Sequence, residues 1–194
     1  MDRIGAFWQW FTENQDRFMV MQAEGNESLF TELSDELKKL DEHLTFEFSN
    51  IQDNGKREFI LSANGISKSF PIVFQLHEAA PELQNWDIIA LKPRIDHPGD
   101  IQLNLSGKIF GIEDIYFEWF KEDDCLSVIL YMRADYPENV LAQIGFIFLD
   151  LLLGEYDVAT KLGHIDFRTL EESRVDGLFE LIDLREIMDR EFPE

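Results

Sequence analysis

The chain has one cysteine, Cys125, among its 194 residues. A single thiol excludes an intrachain disulfide framework and a zinc site built from several cysteines. Cys125 follows the polar run 121–124 and opens an apolar stretch. This setting is typical of a half-buried structural thiol rather than of a nucleophile.

Lysine and arginine are scarce: 17 of them stand against 39 acidic residues, which gives a net charge of −22. Such a chain repels nucleic-acid phosphates and anionic membrane surfaces, so we predict no nucleic-acid and no membrane partner. Two interpretations of the acidity remain. One is solubility through self-repulsion, and the other is an acidic surface that docks on a basic protein partner.

Long apolar runs are also missing. The longest, 144–153, has ten residues, includes Asp150, and is about half of what a membrane-spanning helix needs. The first residues lack the basic-then-apolar order of a signal peptide. We therefore predict a cytoplasmic protein, in keeping with the acidic composition common in bacterial cytoplasm.

Motifs for catalysis are absent as well. The sequence contains no glycine-rich nucleotide-binding motif and no G-x-S-x-G elbow, and its four histidines are scattered. The acidic loops 53–55 and 122–124 lack the ligand pattern of an EF-hand, so solvated turns are favoured there. We predict no catalytic residue, no metal site and no cofactor, which argues against an enzyme.

What the chain does have is a strong hydrophobic pattern, with 45% hydrophobic residues and 17 phenylalanines. Helical and two-residue periodicities, with Asn54-Gly55 as a turn, predict a series of elements. Predicted helices lie around 4–11, 26–44, 70–80, 137–153 and 178–188, and predicted strands at 45–48, 58–63, 86–91, 115–120, 126–132 and 164–170. The predicted fold class is α+β, with antiparallel-rich sheet or sheets from two ββαβ-like units, helices packed on one face, and N-terminal and C-terminal helices.

The two halves match in order, and Thr45-Phe46-Glu47-Phe48 echoes Tyr116-Phe117-Glu118-Trp119. This predicts one domain, 1–194, with an internal duplication whose halves are about 26–92 and 112–170. Chance similarity is the alternative. Residues 93–111 are expected to be an irregular connection, with a short strand at 101–105 as the alternative, and 171–194 a helical tail.

Two groups of polar residues are candidates for ligand binding. In the first, Gly154 ends a helix and polar residues gather before the next strand, where loops carry function; these are Glu155, Tyr156, Asp157, Lys161 and His164. The second, Trp86, Lys92 and Arg94, places two of the few cations beside a strand end, where they suit an anionic ligand. In the alternative interpretation, both groups are hydrogen-bonded connections. The nearly all-apolar helix 140–153 is expected to be core, with a homodimer face as the second interpretation.

Five segments together resemble an uncharacterised bacterial protein family of unknown function; they are Phe7-Trp8-Gln9-Trp10-Phe11, Ser62-Ala63-Asn64-Gly65-Ile66, Ala79-Ala80-Pro81-Glu82-Leu83, Trp86 and Gly154-Glu155-Tyr156-Asp157. The resemblance covers most of the chain and implies no activity.

Three functions remain open. The leading hypothesis is a non-enzymatic binding or regulatory protein that acts through its acidic surface. The alternatives are an enzyme or small-ligand binder that uses the two candidate groups, and an immunity protein that neutralises a toxin.

Overall fold

The computed structural model describes residues 2–20, 26–105 and 107–193. The chain divides into two compact units, Met1–Lys92 and Pro93–Glu194. Each unit combines helices with a small sheet, which confirms the predicted α+β class.

The N-terminal unit holds three helices and a three-stranded sheet among its described residues. Its elements are helix α1 (Arg3–Met19), helix α2 (Glu27–Lys38), strand β1 (Thr45–Phe48), strand β2 (Arg57–Ser62), helix α3 (Phe70–Glu78) and strand β3 (Trp86–Ala90). Strand β1 pairs antiparallel with β2, and β3 lies parallel to β2 on its other side. Because parallel neighbours need a crossover, α3 carries the chain from β2 to β3.

Local sequence explains the hairpin between β1 and β2. Gly55 has φ of +80°, a conformation that a side chain disfavours. The backbone N–H of Gln52 donates to the carbonyl oxygen of Lys56 at 2.8 Å and closes the turn. The predicted Asn54-Gly55 turn is therefore confirmed.

Aromatic side chains form the core of this unit. The rings of Phe11 in α1 and Phe59 in β2 stack with centroids 4.7 Å apart, and Trp86 meets Phe11 at 5.4 Å. Trp8 Nε1 donates a 2.8 Å hydrogen bond to the carbonyl oxygen of Leu76 in α3. Helices α1 and α3 are thus tied together over the buried face of the sheet.

The C-terminal unit is built around a four-stranded sheet. Its elements are strands β4 (Gln102–Leu105), β5 (Lys108–Gly111), β6 (Ile115–Glu122) and β7 (Cys125–Met132), helices α4 (Glu138–Leu153) and α5 (Glu155–Lys161), strands β8 (Leu162–Thr169) and β9 (Phe179–Glu180), and helix α6 (Leu184–Glu191). The strand order is β8-β7-β6-β9, and β4 and β5 form a separate antiparallel pair.

A hairpin followed by helix and a parallel strand occurs in both units. Strands β6 and β7 form an antiparallel hairpin, and β8 returns parallel to β7 after α4 and α5, as β3 does beside β2. The two ββαβ units of the predicted fold are therefore confirmed. The echoed segments 45–48 and 116–119 lie on equivalent first strands, β1 and β6.

Helix α4 packs against the sheet of its unit and supplies much of its core, including Ile144, Phe148 and Leu152. A Cβ atom added at Gly145 would lie 2.2 Å from Phe167 Cε1 and 2.8 Å from Met132 Cε. The glycine thus permits close packing of the helix on β7 and β8. The opposite side of α4 exposes Phe146 and Ile147.

Four local predictions were wrong. The polar stretch after Gly154 is a helix, α5, because Gly154 has φ of +82° and lets the chain turn by 108° into a new helix. Strand β8 begins at Leu162, two residues before the predicted start at 164. Helix α2 ends at Lys38, although Leu44 stays buried on the following turn. The last helix begins at Leu184, because residues before it pair with β6 as strand β9.

Among the described residues, no single helix is long and apolar enough to cross a membrane. Only α4 and α5 taken together reach that length, and they are sharply bent at their junction.

Candidate functional site

The predicted ligand-binding residues fall into both units. Trp86 and Lys92 belong to the N-terminal unit, and the other six belong to the C-terminal unit. Trp86 is 3% exposed, and its ring packs among Phe11, Phe48 and Phe59. Lys92 Nζ lies 3.0 Å from Glu47 Oε1. Trp86 is therefore part of the aromatic core of the N-terminal unit, and Lys92 forms an ion pair with a carboxylate.

Arg94 joins three parts of the C-terminal unit. Its Nε donates to the carbonyl oxygen of Leu153 at 2.8 Å, at the end of α4. Its Nη2 donates to Asp157 Oδ2 at 2.6 Å, in α5, and its Nη1 donates to Asp189 Oδ1 at 2.5 Å, in α6. A planar guanidinium suits this role because its donors point in fixed, diverging directions.

Both carboxylate oxygens of Asp157 contact basic side chains. Arg94 occupies Oδ2, and Lys161 Nζ lies 2.9 Å from Oδ1, one helical turn along α5. The Asp157 side chain is 14% exposed, so its charge is largely withdrawn from water and depends on these two partners. The structure thus brings Arg94, Asp157 and Lys161 together.

The two acidic partners of Arg94 affect its pKa. Burial of the guanidinium lowers its pKa, but hydrogen bonds to Asp189 and Asp157 outweigh burial and leave the pKa raised. Arg185, which donates to the carbonyl oxygens of Leu152 and Ile95, has its pKa lowered by burial and by the nearby charge of Arg94. The two arginines therefore cover the carbonyl end of α4.

The remaining candidates differ in exposure. Glu155, the first residue of α5, is fully buried, whereas Tyr156 beside it is half-exposed. His164 is exposed and lies at an irregularity where β8 has one residue more than β7. Its backbone N–H donates to Ser127 Oγ at 3.2 Å. His164 thus lies on β8, whereas Glu155 and Tyr156 directly precede Asp157 in α5.

Four residues that sequence reasoning missed complete the Arg94–Asp157–Lys161 group. Asp189 contacts Arg94, and the ring centroid of Phe192 is 5.8 Å from Lys161 Nζ. Lys121 joins them because its Nζ is also 5.8 Å from the Phe192 ring and lies 3.0 Å from Glu191 Oε2. Only the pattern of two acids before a phenylalanine, Asp-Arg-Glu-Phe, could have drawn attention to them.

A second charged network lies over β6, β7 and β8. The buried Tyr131 donates its hydroxyl to Glu118 Oε1 at 2.5 Å, and Arg174 lies over the Tyr131 ring at 4.6 Å. Arg168, whose partner is Asp166, lies over the same ring at 5.9 Å. Burial raises the pKa of Tyr131, and the Glu118 carboxylate raises it further.

The N-terminal unit carries a cleft of about 650 Å³ beside the loop between α3 and β3. It is lined by Lys56, His77, Ala80, Pro81, Glu82, Leu83, Gln84, Trp86, Asp87 and Ile88. Lys56 Nζ pairs with Asp87 Oδ1 at 2.6 Å, and His77 Nε2 lies 3.1 Å from the carbonyl oxygen of Ile88. Of the second candidate group, Trp86 is therefore among the residues that line this cleft.

Within the described ranges, no three His, Cys, Asp or Glu side chains are arranged to hold a metal ion. Comparison with protein-family models, with curated proteins and with solved structures gives no match. This result is consistent with the resemblance to a family of unknown function.

Proposed function

We propose that the protein is a non-enzymatic binding protein of the bacterial cytoplasm that acts on a basic protein partner through the acidic surface of its C-terminal unit. The observation that supports this proposal is that the few basic side chains of that unit contact oxygen atoms of the same unit. Residues 93–194 hold 23 acidic and nine basic residues, a net charge of −14. Eight of the nine basic side chains are described, and all eight contact oxygens of the same unit.

Seven of these eight lie 2.5 to 3.8 Å from carboxylate oxygens, and the eighth, Arg185, donates to carbonyl oxygens. The seven are Arg94, Lys121, Arg133, Lys161, Arg168, Arg174 and Arg190. The acidic residues of the unit still outnumber the basic ones by 14 when every paired cation is counted, so the field around the unit is negative. Such a field steers a positively charged partner and favours it over acidic ones.

The stretch 176–186 is the best candidate for the docking surface. Its acidic residues Asp176, Glu180, Asp183 and Glu186 are exposed, and so are Phe179 and Ile182, at 47% and 40%. Apolar side chains among charged neighbours are typical of protein interfaces. The combination fits a partner segment that carries lysine or arginine beside apolar residues.

The test compares two variants of equal charge. The first changes Asp176→Asn, Glu180→Gln, Asp183→Asn and Glu186→Gln, and the second changes Glu13→Gln, Asp16→Asn, Glu27→Gln and Asp35→Asn in the N-terminal unit. Each lowers the negative charge by four. The immobilised proteins are exposed to bacterial lysate at low salt, about 20 mM, and eluted by raising the salt, which screens exposed charges.

We expect wild type and the N-terminal variant to retain the same basic protein, and the 176–186 variant to lose it. The retained protein is then purified and its affinity for all three baits is measured directly. Equal affinity for the two variants would contradict the proposed surface, and failure of wild type to retain any basic protein would contradict the proposed function.

Small-ligand binding is the second candidate function, and the N-terminal cleft favours it. Lys56, His77 and Gln84 offer polar groups at the wall of a concavity large enough for a small metabolite. A metabolite library screened by thermal shift against wild type and Lys56→Met tests it. A ligand that stabilises wild type but not the variant supports this function, and the lack of any such ligand counts against it.

A further inference from the structure

Three basic residues of the C-terminal unit converge on one short stretch of chain. Arg94 lies near the start of the unit, Lys121 is in β6, and Lys161 is the last residue of α5. All three contact the segment 189–192, at the end of α6 and just beyond it. We call these three side chains the cation notch, and residues 189–192 the acidic segment.

Each cation meets a different part of the acidic segment. Arg94 binds the Asp189 carboxylate, and Lys121 binds the Glu191 carboxylate. Lys161 and Lys121 both lie 5.8 Å from the ring centroid of Phe192, within range of a cation–π interaction. The acidic segment is therefore held by two ion pairs, by two lysines at the Phe192 ring, and by packing of Phe192 against the hydrophobic core of the unit.

The three positive charges of the notch face three carboxylates, and Arg190 of the acidic segment adds a further positive charge beside Glu191. Asp157 holds Arg94 and Lys161 from the opposite side and offsets one of the three positive charges. Asp189 and Glu191 supply the other two negative charges. Hydrogen bonds from Lys121 and Arg190 lower the pKa of Glu191, so this carboxyl stays ionised in the notch.

Hydrophobic packing holds α6 in place independently of these contacts. Leu184, Ile187 and Met188 are buried in the core of the unit. The ion pairs that follow are partly open to water, because Asp189 is 56% and Lys121 47% exposed. Exposed ion pairs contribute little to stability. Residues 189–191 are the last turn of α6, so the acidic segment leaves the notch when this turn unwinds, while Leu184, Ile187 and Met188 keep the rest of the helix packed.

We propose that the cation notch is a binding site for an acidic, aromatic peptide segment of another protein, with carboxylates and ring spaced as in Asp-x-Glu-Phe. The protein's own acidic segment occupies the site and is displaced when the partner segment binds. This site is separate from the acidic surface at 176–186 and does not depend on the function proposed above.

The test uses a variant whose notch is vacated: Asp189→Asn, Glu191→Gln and Phe192→Ala together. The probe is a fluorescent peptide with the sequence of residues 187–193, Ile-Met-Asp-Arg-Glu-Phe-Pro. We expect the variant to bind it and wild type to bind at least about tenfold more weakly, because a tethered segment competes at an effective concentration in the millimolar range. Adding Lys121→Met to the variant lowers the affinity by about tenfold or more.

A scrambled peptide of the same composition is the specificity control, and we expect it not to bind the vacated notch. Circular dichroism verifies that the triple variant is folded. If it is not, the single variant Glu191→Gln, which leaves the apolar contacts of α6 intact, replaces it and is expected to bind the peptide several-fold more tightly than wild type does.

Three results would overturn the proposal: no binding to a folded variant with a vacated notch, equal binding of the scrambled peptide, or unchanged binding after Lys121→Met. Displacement of the peptide by millimolar phosphate alone would also overturn it, since that would define a general anion site rather than a peptide site.

Discussion

The two buried indole groups of Trp8 and Trp86 differ in one respect: Trp8 Nε1 donates to the carbonyl oxygen of Leu76, whereas Trp86 Nε1 has no hydrogen-bond partner within the described structure. Both side chains are less than 5% exposed. The two rings therefore bury a similar apolar bulk but make unequal polar contacts. A comparison of substitutions at these two positions therefore separates the contribution of a hydrogen bond to stability from that of packing.

We expect Trp8→Phe to destabilise the protein by about 1–3 kcal/mol more than Trp86→Phe does, because only the first loses a buried hydrogen bond. Urea unfolding of the two variants measures the difference. Each serves as the packing control of the other, and equal losses of stability would contradict the assignment.

Removal of the Asp157 carboxylate is expected to be costly. In Asp157→Asn, the cations Arg94 and Lys161 lose the charge that they share, and we expect a loss of about 1–3 kcal/mol in the free energy of unfolding. Asp189→Asn is the matched control: its side chain is mostly exposed, so its loss should stay within about 1 kcal/mol. Thermal and urea unfolding measure both. A smaller loss for Asp157→Asn than for the control would be inconsistent with a central role for Asp157.

The close approach of α4 to the sheet makes Gly145 sensitive to added bulk. Gly145→Ala places a methyl group against Phe167 and Met132, and we expect the overpacking to cost about 1–3 kcal/mol despite the better helix propensity of alanine. Gln143→Ala, on the exposed side of the same helix, is the control and should change stability by less than about 0.5 kcal/mol. Stabilisation by Gly145→Ala would show that the helix stands farther from the strands.

Stability at alkaline pH should report on Tyr131. Burial and Glu118 raise its pKa in the folded protein, so the folded state holds the phenolic proton more tightly than the unfolded state does. The resulting stabilisation is fully present below the tyrosine's ordinary pKa of about 10 and is lost as the pH rises through the folded pKa.

We therefore expect wild type to lose stability above about pH 10, and Tyr131→Phe to lose less over the same interval. Urea unfolding between about pH 8 and 11 gives the two slopes, and absorbance at alkaline pH follows ionisation of the phenol. Parallel pH profiles for the two proteins would rule out the linkage to Tyr131.

Periodicity and turn chemistry account for the parts of the fold that were predicted well. The stripe of Leu29, Leu33 and Leu37 identifies α2, and Asn54-Gly55 identifies the first hairpin, because each signal lies within a few residues. Helix α5 was missed because polar residues after a glycine are also typical of a loop. Strand β9 was missed because its pairing with β6 depends on residues about 60 positions earlier.

The candidate site shows the same division between local and distant signals. Asp157 and Lys161 are four residues apart, so their contact follows once α5 is known to be a helix. Arg94 is 63 residues from Asp157, and Lys121 is 70 residues from Glu191. No periodic pattern connects positions so far apart, and only the tertiary fold brings them into contact.

The boundary at Lys92 has a consequence during synthesis on the ribosome. The helices and strands of the first ββαβ unit, with its aromatic core, lie entirely before this residue. Because domains generally fold as units while the chain emerges from its N-terminal end, this core can assemble before β6 and β7 have left the exit tunnel. The nascent chain would then hide most of its early aromatic side chains from chaperones before the more acidic half has emerged from the ribosome.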